Sequence, residues 1–103
     1  MITIRNNRYS KVAAERIALI GASRMPGEGY KLERSRMNKS VWKVTRPESK
    51  GGGFYRVQLA NERGGMKENC TCPFFRENGT CKHVLQVRAE AEAVEFCAAL
   101  ATA

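Results

Sequence analysis

Cys70-Thr71-Cys72-Pro73 and Cys81-Lys82-His83 decide how this chain is read, because they hold three of its four cysteines and its only histidine. In an extended segment, residues two apart point to the same face at about 6.8 Å between Cα atoms. Cys70 and Cys72 can therefore turn both sulfurs toward one ion. Cys81 and His83 cannot both do so from a regular helix, where positions two apart diverge, so this pair is expected to straddle a helix start. Asn78-Gly79 is a turn signal and Thr80 a suitable N-cap. Apolar residues at Val84, Val87, Ala91, Val94 and Ala98 then follow at helical spacing. Three thiolates and one neutral imidazole are a donor set for tetrahedral Zn²⁺, and four protein ligands leave no open position, which marks a structural site. Pro73 is expected to end a strand, and Phe74 and Phe75 to cover the metal.

A disulfide framework is the competing reading of these cysteines. The chain opens Met1-Ile2-Thr3-Ile4-Arg5-Asn6 with no apolar stretch behind a basic start, so no secretory signal is visible. A cytoplasmic, nucleoid or nuclear setting is expected. Cys97 falls in the predicted C-terminal helix, far along it from His83, and is expected to be a small packing residue rather than a ligand.

The two ligand pairs, preceded by Trp42-Lys43-Val44 and Phe54-Tyr55-Arg56-Val57-Gln58-Leu59, resemble the SWIM zinc finger, whose pattern is Cys-x-Cys, a variable gap, then Cys-x-His. The resemblance covers about residues 41–90. It implies Cys70, Cys72, Cys81 and His83 as metal ligands, Zn²⁺ as the cofactor and DNA or another protein as the partner; it does not imply catalysis. The chain departs from the pattern by an insert carrying Gly64-Gly65 before Cys70.

Period and breakers organise the rest. Val12, Ala13, Ile17 and Ile20 suggest an amphipathic helix from about Tyr9 to Arg24, ending before Pro26-Gly27. A short strand is expected near Tyr30-Lys31-Leu32. Trp42 and Val44 alternate with Lys43 and Thr45, and Tyr55, Val57 and Leu59 with Arg56 and Gln58, which predicts a hairpin across the loop Pro47 to Gly53. Asn61 to Asn69 reads as a second loop and Glu68 to Cys72 as a third strand. The expected fold is a small α+β domain spanning residues 1–103. An N-terminal helix precedes a small antiparallel hairpin or three-stranded sheet and a zinc-bound C-terminal helix. Residues 1–40 would be a basic helix and linker, and 41–103 the finger with its helix. No stretch approaches a membrane span, since Glu15 and Arg16 interrupt the apolar run from Val12 to Ile20.

Charge is uneven: residues 1–50 hold twelve Lys or Arg against four Glu, and residues 51–103 hold six of each. A basic half is the electrostatic footprint of a nucleic-acid binder. If Trp42, Val44, Tyr55, Val57 and Leu59 face the core, Lys43 and Arg56 point outward, with Arg34, Arg36 and Lys39 nearby in sequence. Those five are the candidate nucleic-acid contacts, DNA favoured. On duplex DNA a footprint of four to six phosphates predicts a log–log salt slope of about −4 to −5. Trp42 reads as a core anchor; Tyr30 and Phe54, at loop edges, are better placed for base stacking, with ordinary packing the favoured reading of both. The acidic C-terminal helix, with Glu90, Glu92 and Glu95, should face away from nucleic acid. A protein-interaction adaptor is the alternative, favoured by Leu85, Phe96 and Leu100 beyond the narrow apolar stripe of that helix. An enzyme is not expected, because a closed site and the absence of Asp and of a second His leave few candidates for a general base.

Overall fold

The computed structural model describes residues 9–60 and 67–102. Its elements run α1 (Lys11–Glu28), β1 (Lys31–Arg34), β2 (Val41–Thr45), β3 (Phe54–Gln58), β4 (Asn69–Cys70), α2 (Pro73–Asn78) and α3 (Lys82–Thr102). The strands form one antiparallel sheet in chain order. It therefore has four strands, one more than the largest sheet expected from the sequence. Its edge strand β1 is the short strand expected near Tyr30-Lys31-Leu32, running on to Arg34 within the basic stretch otherwise read as a linker. Residues 61–66 of the predicted loop Asn61 to Asn69, Gly64-Gly65 among them, lie outside the described residues.

The β2–β3 hairpin forms as its alternation predicts. Trp42 pairs with Val57 and Val44 with Tyr55, while Lys43 pairs with Arg56. Directly opposite residues share a face, so one side of the sheet carries Leu32, Trp42, Val44, Tyr55, Val57 and Cys70. Helix α3 lays Val84, Val87 and Ala91 on that side, and with Met25 of α1 these residues form the core. Val44, Val57 and Val87 are fully buried, and burying each such side chain contributes about 1.5–3 kcal/mol before entropy costs. Trp42 is a core anchor, as its alternation predicts. The stripe on α3 stops being covered after Ala91: Val94 and Ala98 are exposed.

Helix α1 corrects two expectations. It passes through Pro26 and stops at Gly29. A proline this near the helix end forfeits a single bond to the carbonyl four residues back, whereas Gly29 takes the left-handed conformation (φ 90°) that terminates helices. The inward face is also not Val12, Ala13, Ile17 and Ile20. It is Ala14, Ala18, Ala22 and Met25, while Val12, Ile17, Leu19 and Ile20 are exposed. Small side chains let α1 approach α3 closely: a Cβ placed on Gly21 would lie 3.0 Å from the Lys82 Cβ. Gly21→Leu is thus expected to lower stability by about 1–3 kcal/mol through overpacking, despite the better helix propensity of leucine. A urea melt of the zinc-loaded protein checks this.

Candidate metal centre

Each ligand is delivered by a chain terminus of regular structure. Cys70 ends β4, which is held to β3 through Val57↔Cys70 and Gln58↔Asn69. Cys72 is the N-cap of α2, and its Sγ accepts the Phe75 N–H at 3.4 Å. Cys81 immediately precedes α3, and its Sγ accepts the Val84 N–H at 3.5 Å. His83 sits in the first turn of α3. The expected straddle of a helix start is present, with one correction: the sulfur of Cys81, not Thr80, takes the capping role. Both thiols thereby use amides that helix starts leave unpaired, which also favours the net negative charge of a Cys₃His site around a divalent ion.

Helix α2 was not anticipated. Pro73 does not merely end a strand but opens this helix at its first position, where a missing N–H costs nothing. Gly79 closes it in the left-handed conformation (φ 73°).

All four side chains are buried, between 1% and 5% exposed, and their donor atoms lie within 4.8 Å of one another. Tetrahedral Zn²⁺ with bonds of about 2.3 Å places sulfurs about 3.8 Å apart. With a zinc–nitrogen bond of about 2.0–2.1 Å the sulfur–nitrogen edge is about 3.5 Å. The Cys70 Sγ to His83 Nδ1 separation of 3.9 Å is within a few tenths of it, so the donor set and its spacing fit such an ion with Nδ1 facing the sulfurs. The imidazole is flanked by aromatic rings, with Tyr55 at 4.9 Å and Tyr30 at 6.0 Å between centroids. Lys82 Nζ donates to the Tyr30 hydroxyl at 2.8 Å. Tyr30 therefore packs beside the site instead of offering a free stacking surface. Phe74 and Phe75 are half-buried against the core that includes the cysteines.

A family model described as SWIM zinc finger matches residues 55–87. That span runs from β3 through β4 and α2 into the first turns of α3, and holds all four ligands. Over these residues the chain is similar to SWIM zinc fingers. No curated protein and no solved structure matches the chain. Helix α1 and strands β1 and β2 lie outside the matched span, yet β2 pairs along all of β3 and α1 contributes Met25 to the core.

The three buried thiols hold one another's ionisation apart. Hydrogen bonding with Cys72, followed by burial, holds the Cys70 thiol up at about 11. The Cys72 thiol is lowered, chiefly by hydrogen bonds from Cys70 and then Cys81. Cys81 is raised by its bonds to Cys70 and Cys72 and by burial. Without a cation the trio favours one thiolate. Zn²⁺ needs all three sulfurs ionised, so loading expels the protons of Cys70 and Cys81, and metal affinity falls as pH falls. Zinc release followed with a chromogenic chelator should accordingly rise as pH is lowered from about 7 to 5.

Cys97 departs from its expected role. It is exposed, neither a ligand nor a packing residue. Cys97→Ser is expected to leave zinc stoichiometry and melting unchanged, as elemental analysis and a thermal melt would show.

The predicted basic contacts separate into groups. Lys43 and Arg56 are directly opposite each other on the outer face of the sheet, and both are exposed. With Arg34, Arg36 and Phe54 they line a surface depression of about 370 Å³. Arg34, however, alternates onto the inner face, where its guanidinium lies 5.1 Å from the Trp42 ring and reaches Glu95 at 3.9 Å. Lys39 lies in the β1–β2 connection and does not line the depression. Among the described residues Arg36, Lys43 and Arg56 have no ion-pair partner. Lys31, at the same face, was missed as a candidate and pairs with Glu33 at 3.8 Å. Its strand period marks that face once β1 is recognised.

Proposed function

We propose that the chain is a zinc-built nucleic-acid-binding module, DNA favoured, whose contact surface is the outer face of the sheet and whose metal is structural. The observation that carries this reading is the row Glu33, Lys43, Arg56 across three strands, exposed and joined by Arg36, its cations without an ion-pair partner among the described residues. Acidic α3 packs on the opposite side of the sheet, so Glu90 and Glu92 do not oppose phosphates there. On this reading the metal does no chemistry on a substrate: four protein ligands close it, and its work is to fix β4, α2 and α3 in one geometry. The protein is accordingly not an enzyme. Three free thiols gathered around zinc suit a reducing compartment such as the cytoplasm or nucleoid. Among the described residues no helix is long and apolar enough to cross a membrane.

A second reading, a protein-interaction adaptor, is favoured by the uncovered helix faces. Beyond Ala91 every described side chain of α3 is exposed, including Phe96 and Leu100. A largely apolar cleft of about 400 Å³ also opens between α1, Phe74 and the start of α3. The discriminating experiment is fluorescence anisotropy of zinc-loaded protein with labelled single-stranded and duplex DNA at about 50 mM salt, where phosphate-driven binding is strong. The nucleic-acid reading expects saturable binding. Absence of binding to both removes it and leaves the adaptor.

A further inference from the structure

The outer sheet face carries an aromatic ring that the core does not use. Phe54 lies at the start of β3, 61% exposed, in the row Lys31, Thr45, Phe54 that adjoins the row Glu33, Lys43, Arg56. Lys43 Nζ sits 4.7 Å from the centre of its ring, and Phe54, Arg36 and Arg56 share the depression described above. A large apolar ring in solvent, beside cations that have no ion-pair partner among the described residues, is the combination that single strands use: bases stack on aromatics while the cations track the backbone. A duplex presents base edges in its grooves, not base faces. It can meet the cations but leaves the ring unused.

Resting on the nucleic-acid reading above, we propose that this face binds single-stranded nucleic acid, with one base stacked on Phe54 and adjacent phosphates held by Lys43, Arg56 and Arg36. The Lys43 ammonium over the ring does not block the site. At an exposed position a cation–π contact is weaker than base–aromatic stacking, and the long, flexible lysine side chain can turn to a phosphate while the base takes the ring. Glu33, next to Lys43 in the register, repels phosphate and can accept hydrogen bonds from base amino groups. It keeps the backbone to the Arg56 side.

The test uses the zinc-loaded full chain with a labelled oligothymidylate and a labelled hairpin duplex, comparing Phe54→Ala, Phe54→Trp and the pair Lys43→Glu with Arg56→Glu. Phe54 is exposed, so its variants retain zinc and fold, which elemental analysis and circular dichroism verify. Phe54→Ala should weaken oligothymidylate binding roughly 5- to 150-fold with an unchanged salt slope, while duplex binding hardly moves. Phe54→Trp should keep or tighten single-strand binding. Wild-type affinity in Phe54→Ala, with binding lost in the charge-reversal pair, overturns the stacking site but leaves phosphate recognition standing. Preference of the wild type for the duplex also overturns it. Failure of the wild type to bind either probe overturns the underlying reading itself.

Discussion

His83→Ala is expected to yield a protein that neither retains zinc nor melts cooperatively. Structural zinc in finger peptides binds with apparent free energies of about 10–16 kcal/mol near neutral pH, whereas a whole small domain is stable by about 5–15 kcal/mol. Loss of one ligand therefore removes an amount comparable to the entire stability. The loss also leaves three buried thiols whose mutual hydrogen bonding favours one thiolate, as the raised Cys70 and lowered Cys72 show. Cys72→Ser separates metal binding from capping. Serine is a good N-cap, so α2 keeps its cap while the metal loses a ligand. If Cys72→Ser melts like wild type with no bound zinc, the site is not what holds β4, α2 and α3 together. Elemental analysis with a thermal melt on each variant reads both quantities, and a strong chelator added to wild type should reproduce the variants.

Reversing the outer-face charges with Lys43→Glu plus Arg56→Glu should abolish nucleic-acid binding at about 200 mM salt and weaken it strongly at about 50 mM. Both side chains are exposed and directly opposed in the sheet. The reversal sets Glu33 and the two new glutamates in one row, so two like-charge cross-strand pairs replace one opposite-charge and one like-charge pair. At about 0.2–1 kcal/mol for each such pair on an exposed face the fold is kept, and zinc content should stay at wild-type level. Glu90→Ala plus Glu92→Ala, on the far side of the sheet, is the matched control and should leave binding nearly unchanged. Equal affinity in the two double variants contradicts the assignment of the surface.

Much of this arrangement was legible because it rests on short-range geometry. The Cys-x-Cys and Cys-x-His spacings specify an extended arm and a helix start. The alternation of Trp42 to Thr45 and of Tyr55 to Leu59 specifies both strands and which way Lys43 and Arg56 point. What stayed hidden depends on tertiary contact. The buried stripe of α1 consists of Ala14, Ala18 and Ala22, which carry little hydrophobic signal yet allow close helix approach, so the larger Val12, Ile17 and Ile20 drew attention to the wrong face. Helix α2 has six residues, too few for a periodic pattern, and only Pro73 and Gly79 marked its ends. The N-cap before α3 was assigned to Thr80 because sulfur is not a usual capping atom. The rings of Tyr30 and Tyr55 around His83 join residues far apart in sequence. Arg34 left the basic patch for Glu95 and Trp42 through a strand period visible only once β1 is placed.

That last displacement changes the expected footprint. With Arg34 committed inward and Lys39 outside the depression, Arg36, Lys43 and Arg56 remain as phosphate contacts, fewer than the sequence alone suggests. At about 0.7 per phosphate on a single strand, their combined log–log salt slope is about −2, shallower than the −4 to −5 expected for a larger footprint on duplex. The most direct measurement is the oligothymidylate affinity of the zinc-loaded chain across a salt series. A slope near −2 that flattens toward zero in the Lys43→Glu, Arg56→Glu variant is the predicted result. No binding at low salt, or a wild-type slope unaltered by that double reversal, contradicts the account.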